Sequence, residues 1–176
     1  MLGSFPPQKK RWSMEFYYPN FNNDMWRVMG LIFFDDKNYF VDTAQKTFRK
    51  ELIINFLTEK GIALFDTATV VRRLKDNAAD QFLEIVEATD IRKLLQQLPN
   101  CKAVTVTGQK AMDTLRTQLQ VEEPAVGKSA EFALGNRSML LFRMPSTSRA
   151  YPLKLESKAA MYERMLQEIG IKLLTK

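Results

Sequence analysis

The 176 residues carry 26 Lys and Arg against 20 Asp and Glu, no His and a single Cys, with 45% of positions apolar. That length and mix suit one soluble domain, 1–176, with a sizeable core, and argue against a disordered chain. The lone Cys101 excludes an internal disulfide, and the absence of His removes Cys/His zinc sites and Ser-His-Asp or Cys-His nucleophiles, while four-cysteine iron–sulfur clusters are equally out of reach.

Charged residues recur often enough that no apolar run approaches the roughly 18 residues of a membrane helix. The start, through Lys9, Lys10 and Arg11, lacks the apolar segment of a signal peptide. The expectation is a protein of the cytoplasm, or of the nucleus in a eukaryotic source, with no membrane partner. A net charge of +6 suits a polyanionic partner bound in a salt-dependent way, and equally suits a solvated basic surface.

Residues 1–24, rich in Pro, Asn and aromatics, read as a long loop of the kind that often carries function. Asn22 or Asn23 is placed to cap a helix whose apolar face holds Met25, Trp26, Met29 and Phe33. Asp42 or Thr43 is expected to open a second helix, with Phe48, Leu52, Ile53, Phe56 and Leu57 at helical spacing and Gly61 as its stop. Gly61 to Asp66 reads as a short buried strand.

Further on, Asp90 caps a short helix ending near Leu98 and Pro99. The β-branched run from Ala103 to Thr107 is a strand that Gly108 turns into a helix from Gln109 to Leu119. Ser138 to Met144 is another strand, broken by Pro145, and Leu155 to about Ile169 is a closing amphipathic helix. Strands alternating with helices predict an α/β fold, a three-layer α/β/α sandwich with a mostly parallel central sheet. Ligands in such folds meet the loops leaving the C-terminal strand ends, which here follow Asp66, Thr107 and Met144.

Three segments carry a resemblance. Leu2-Gly3-Ser4-Phe5-Pro6 forms a Gly-x-x-Pro loop. Phe16-Tyr17-Tyr18-Pro19-Asn20-Phe21-Asn22-Asn23-Asp24-Met25-Trp26 is an aromatic block with an Asn three residues before a Trp. Met144-Pro145-Ser146-Thr147-Ser148-Arg149-Ala150-Tyr151 is a Pro-Ser-x-Ser loop between a strand and a Lys-bearing helix. In this order they resemble the uracil-DNA glycosylase superfamily, closest to its hypoxanthine- and mismatch-acting branches. Gly61–Asp66 and Val104–Ala111 are similar to two further family segments, so the likeness spans nearly the whole chain. The departures are specific. Phe5 stands where the mismatch branch has a water-positioning Asn, Asn20 replaces a family His, and Asp24 and Met25 replace Arg and Phe. Only Met1 and Leu2 precede Gly3 where the family has a full strand.

The resemblance implies a monomeric, cofactor-free and metal-free DNA glycosylase that hydrolyses the N-glycosidic bond of a flipped hypoxanthine or uracil and leaves an abasic site. It implies Asn23 as the catalytic positioning group and Tyr18 as the stacking aromatic, with Gly3, Ser4, Phe5, Phe16, Tyr17 and Asp66 around the base. Pro145, Ser146, Thr147, Ser148, Arg149 and Lys154 would meet DNA, Arg149 as a phosphate contact or a wedge, with Lys158 adding nonspecific attraction. An Asn amide cannot deprotonate water, so a true base must be a carboxylate such as Asp24 or Asp66. No Lys stands out as a Schiff-base nucleophile.

Each residue also has a purely structural reading. Trp26, Met25 and Met29 suit a core; Asn22 and Asn23 suit helix caps; Tyr17 and Tyr18 suit a packed loop anchor. Asp66 suits a loop hydrogen bond, Pro145 to Ser148 an ordinary turn, Arg72 and Arg73 a solvated face, and Cys101 an inert thiol. Two rivals follow: a noncatalytic DNA-binding module of the same fold, and an enzyme acting on free nucleosides or nucleotides.

Overall fold

The computed structural model describes residues 1–76 and 80–173. In chain order the elements are β1 (Leu2–Gly3), α1 (Met25–Phe34), β2 (Val41–Asp42), β3 (Thr47–Phe48), α2 (Lys50–Lys60), β4 (Phe65–Asp66), β5 (Ala68–Arg73), β6 (Leu83–Ala88), α3 (Ile91–Gln96), β7 (Ala103–Thr107), α4 (Gln109–Arg116), β8 (Lys128–Leu134), β9 (Arg137–Met144) and α5 (Leu155–Glu168). The chain forms two compact units, one of Met1–Pro6 with Leu64–Pro145, the other of Pro7–Ala63 with Ser146–Lys176.

The first unit holds a mixed, mostly parallel five-stranded sheet in the order β4-β1-β7-β9-β8, in which only the β8–β9 pair is antiparallel. Side-chain alternation sets its core. Val104 and Val106 of β7, Met139 and Leu141 of β9, and Phe132 and Leu134 of β8 share a cluster with Ile91 and Leu95 of α3 and Ala111, Met112 and Leu115 of α4. Burying each such side chain stabilises the fold by roughly 1.5–3 kcal/mol. Asp90 caps α3 as expected, accepting from the Lys93 N–H at 2.9 Å.

The buried strand from Gly61 shrinks to Phe65–Asp66, because its partner β1 offers only Leu2 and Gly3 for pairing, and Phe65 is exposed. Arg72 and Arg73, read from sequence only as a solvated face, belong to a strand. They lie inside β5, paired antiparallel with β6 through two register shifts, in a stretch with no alternating pattern to announce it. The antiparallel edge strand β8 was not expected either.

In the second unit α1 packs against α5, and its aromatics meet Phe40 and α2, with Trp26 and Phe40 edge-on at 6.4 Å and Phe33 and Phe56 edge-on at 4.8 Å. The helix expected from Asp42 begins only at Lys50. Asp42 Oδ1 instead accepts from the Gln45 N–H at 3.0 Å, Lys46 takes a left-handed conformation, and Thr47–Phe48 returns to pair with Val41–Asp42. Gly61 ends α2 at φ 65°, as its position implied. After α1, Asp35 turns left-handed and the Asp36 N–H reaches the Gly30 carbonyl at 3.3 Å, folding the next loop onto the helix end.

Candidate functional site

In the first unit β1 and β4 run parallel, so Gly3 and Asp66 stand side by side at their C-terminal ends. The Thr67 N–H donates to the Gly3 carbonyl at 2.8 Å, fixing the start of the Gly3–Pro6 loop. Ser4 is buried and its hydroxyl donates to Asp80 Oδ2 at 2.8 Å, while the Arg73 guanidinium donates to the Pro6 carbonyl at 2.8 Å. Phe5 is half-buried in this loop. Burial, and secondarily the nearby Asp80 carboxylate, pushes the Asp66 pKa up to about 6. Asp80 is raised by burial as well, against the opposing pull of the Ser4 hydrogen bond, Arg73 and Lys110. Asp80 had no sequence signal, since its place depends on a contact spanning 76 positions.

In the second unit the Ser13 N–H and hydroxyl both donate to the Pro19 carbonyl, at 2.9 and 2.8 Å, closing a loop that presents Phe16, Tyr17 and Tyr18. Buried Trp26 anchors it. The indole N–H donates to the Tyr17 carbonyl at 3.2 Å, Tyr18 meets the indole edge-on at 6.2 Å, and Phe16 lies 6.3 Å away. Tyr18 holds φ at 50°, a left-handed conformation that bulky residues rarely adopt and that persists only when the surroundings enforce it.

Asn23 lies between this block and the Ser146–Arg149 loop. It forms a β-bridge with Ser148, and the next residue, Asp24, donates its N–H to the Thr147 carbonyl at 2.8 Å. Asn23 Oδ1 accepts from the Met25 N–H at 2.9 Å, so the expected capping role belongs to this side chain although Asp24 is the capping position. The amide nitrogen of Asn23 has no hydrogen-bond partner among the described residues. Ser146 Oγ accepts from the Ser148 N–H and Ser148 Oγ from the Ala150 N–H, each at 3.2 Å, which leaves both hydroxyl protons for an outside acceptor. Thr147 and Pro145 are buried, and Lys154 is exposed at the start of α5.

Asp24 is saturated by cations. Its Oδ1 takes Arg149 Nε and its Oδ2 takes Lys158 Nζ, both at 3.0 Å. Lys158 is fully buried and also donates to the Ser148 carbonyl at 2.9 Å, so it is an internal brace and not the surface cation expected from sequence. Asp66, with its pKa near 6, is a carboxylate that titrates close to neutrality.

Gly3, Ser4, Phe5, Asp66 and Pro145 thus belong to the first unit, and Phe16, Tyr17, Tyr18, Asn23, Ser146 to Arg149 and Lys154 to the second. Among the described residues no group of three or more Cys, Asp or Glu side chains is arranged to hold a metal ion, and no helix is long and apolar enough to cross a membrane. No family model, no curated protein and no solved structure matches the chain.

Proposed function

We propose that this chain is a monofunctional DNA glycosylase that removes a flipped, deaminated base, hypoxanthine or uracil, from DNA. With that goes the finer fold, a three-layer α/β/α sandwich of the uracil-DNA glycosylase type, and a monomer acting in the cytoplasm or nucleus. The observation that carries the reading is the bridge between Asn23 and Ser148, which joins two of the three family-like segments across 125 positions of chain.

Flipping a base out of a duplex costs a few kcal/mol, and stacking on an aromatic returns roughly 1–3 kcal/mol per base. Tyr18 is the stacking surface, its ring set edge-on against the Trp26 indole. Asn23, its carbonyl occupied by α1, offers an amide N–H to an oxygen of the leaving base, where negative charge develops as the glycosidic bond breaks. The free hydroxyl protons of Ser146 and Ser148 suit phosphate oxygens. The step itself is hydrolysis: a water oxygen bonds to C1′ and gives its proton to solvent, while the bond electrons leave with the base, which solvent then protonates. Lys158, buried on Asp24, is no Schiff-base nucleophile, in keeping with hydrolysis without strand cleavage.

A second reading, a noncatalytic DNA-binding module, is favoured by the same Asn23 hydrogen bond, since capping α1 accounts for that side chain. An excision assay separates the two. Oligonucleotides carrying uracil, hypoxanthine, xanthine or a G:T mismatch, single- and double-stranded, are incubated and treated with alkali to reveal abasic sites. Asn23→Asp keeps an acceptor for the Met25 N–H and removes the amide donor. Excision by the native protein that is lost in a folded Asn23→Asp variant supports the glycosylase. No excision of any base, with tight salt-dependent DNA binding, moves the conclusion to the module.

A further inference from the structure

A cleft of about 410 Å³ in the second unit is lined by Asp24, Arg27, Lys37, Arg149, Leu153, Leu155 and Lys158. Four cations and one carboxylate meet there. Both Asp24 oxygens are engaged, one by Arg149 and one by Lys158, and no second carboxylate lines the cleft to balance Arg27 and Lys37. The crowding registers on Arg27, whose pKa is lowered first by burial and then by the like charge of Arg149, with Asp24 opposing.

Several donors in this cleft are set and unused. The Arg27 guanidinium lies over the Phe21 ring at 4.6 Å and the Phe48 ring at 5.3 Å, and its Nη1 donates to the carbonyls of Phe21 and Asn23 at 2.9 and 3.1 Å. Those contacts hold the plane of the group and leave its Nε and Nη2 without a partner among the described residues. Arg149 uses Nε on Asp24 and Nη1 on Asn22, leaving Nη2. Lys37 makes no hydrogen bond or ion pair among the described residues. Planar guanidinium forks beside an ammonium match the several oxygens of a phosphate better than the two of a carboxylate. Leu153 and Leu155 add an apolar wall, and a volume in the range of small-ligand pockets admits a sugar along with the phosphate.

We infer that this cleft is a phosphate-binding site, formed by Arg27, Lys37 and Arg149 with Asp24 and Lys158 as its charged floor, and that it takes a phosphate carried on a sugar. The chemistry is shared by a backbone phosphodiester and by the terminal phosphate of a nucleotide. The phosphodiester is the assignment that rests on the glycosylase reading; the phosphate site itself does not depend on it.

The test uses the full chain, isotopically labelled, titrated with inorganic phosphate at constant ionic strength and followed by amide shifts. Saturable shifts at Lys37, Arg149 and Leu153 are expected, weakened in Lys37→Met and restored in Lys37→Arg; Lys37 is exposed and unpaired, so these variants fold. Absence of saturation, or equal binding by Lys37→Met, overturns the site. Competition then identifies the source. An undamaged duplex with 5′-hydroxyl ends displaces phosphate if the site takes diesters, and a deoxynucleoside monophosphate does so if it takes monoesters. In the duplex arm, Lys37→Met lowers the slope of log affinity against log salt by about 0.9, the share of one phosphate contact. Excision plays no part in these readouts, so a protein that binds phosphate without cleaving any base refutes the glycosylase alone.

Discussion

Lys158 Nζ lies 3.0 Å from Asp24 Oδ2, with the Lys side chain wholly out of solvent. A buried cation of this kind is tolerated only with its partners in place. Asp24→Asn is expected to destabilise the protein by about 3–5 kcal/mol, because it strands the buried ammonium. Lys158→Met should cost less, since Asp24 keeps Arg149. The double variant should recover much of the loss. Urea denaturation of the three proteins measures all of this.

Tyr18 gives a second prediction. At φ 50° glycine is unstrained and alanine is not. Both Tyr18→Ala and Tyr18→Gly lose the ring, but Tyr18→Gly should be more stable than Tyr18→Ala by about 1 kcal/mol, the approximate penalty for a left-handed L-residue. Both should lose excision if the ring stacks the base. Equal stability of the two would show that the left-handed conformation carries no strain.

Asp66 sets a pH dependence. Its pKa rises from 3.8 to about 6 on folding, so between those values the native state holds more proton than the unfolded chain. Its contribution therefore favours the fold at low pH, falls as pH rises from about 4 to 6, and is fully unfavourable above that. Asp66→Asn should raise stability at pH 7 by about 1–2 kcal/mol and flatten this part of the profile. Thermal unfolding from pH 4 to 8 is the measurement.

Gly30 gives the last. A Cβ there would overlap the Asp36 carbonyl oxygen, a backbone atom with little freedom to move. Gly30→Ala should destabilise the protein by about 1–3 kcal/mol through overpacking. It should also weaken phosphate binding, since the displaced loop carries Lys37. Denaturation and the phosphate titration test the two effects separately.

The parts of the fold that were legible in sequence are those set by local chemistry. The β-branched run of β7, the period of α5, the Asp90 cap and the Gly61 stop each sit within a few residues of their cause. The β5–β6 hairpin was hidden because its exposed Val70 and Val86 and its register shifts break any alternation. In the site, the bridge between Asn23 and Ser148 joins segments far apart in the chain, and no local pattern marks it. No pattern marked Asp80, Lys37 or the burial of Lys158, which arise from contacts or clefts assembled across long stretches of chain.

The second unit is built from two stretches of chain, with most of the first unit's sequence lying between them. Asp24 leaves the ribosome 134 residues before Lys158. At synthesis rates of about 5–20 residues per second, that gap lasts roughly 7–27 s. For that interval α1 lacks its partner α5, and Asp24 lacks the ammonium of Lys158. The first unit, its sheet complete once β9 is made, can fold before the second has all its parts. A nascent chain stalled short of Ser146 would therefore display the face of α1 that meets α5 to chaperones and proteases, and the vulnerable period ends only when α5 is made.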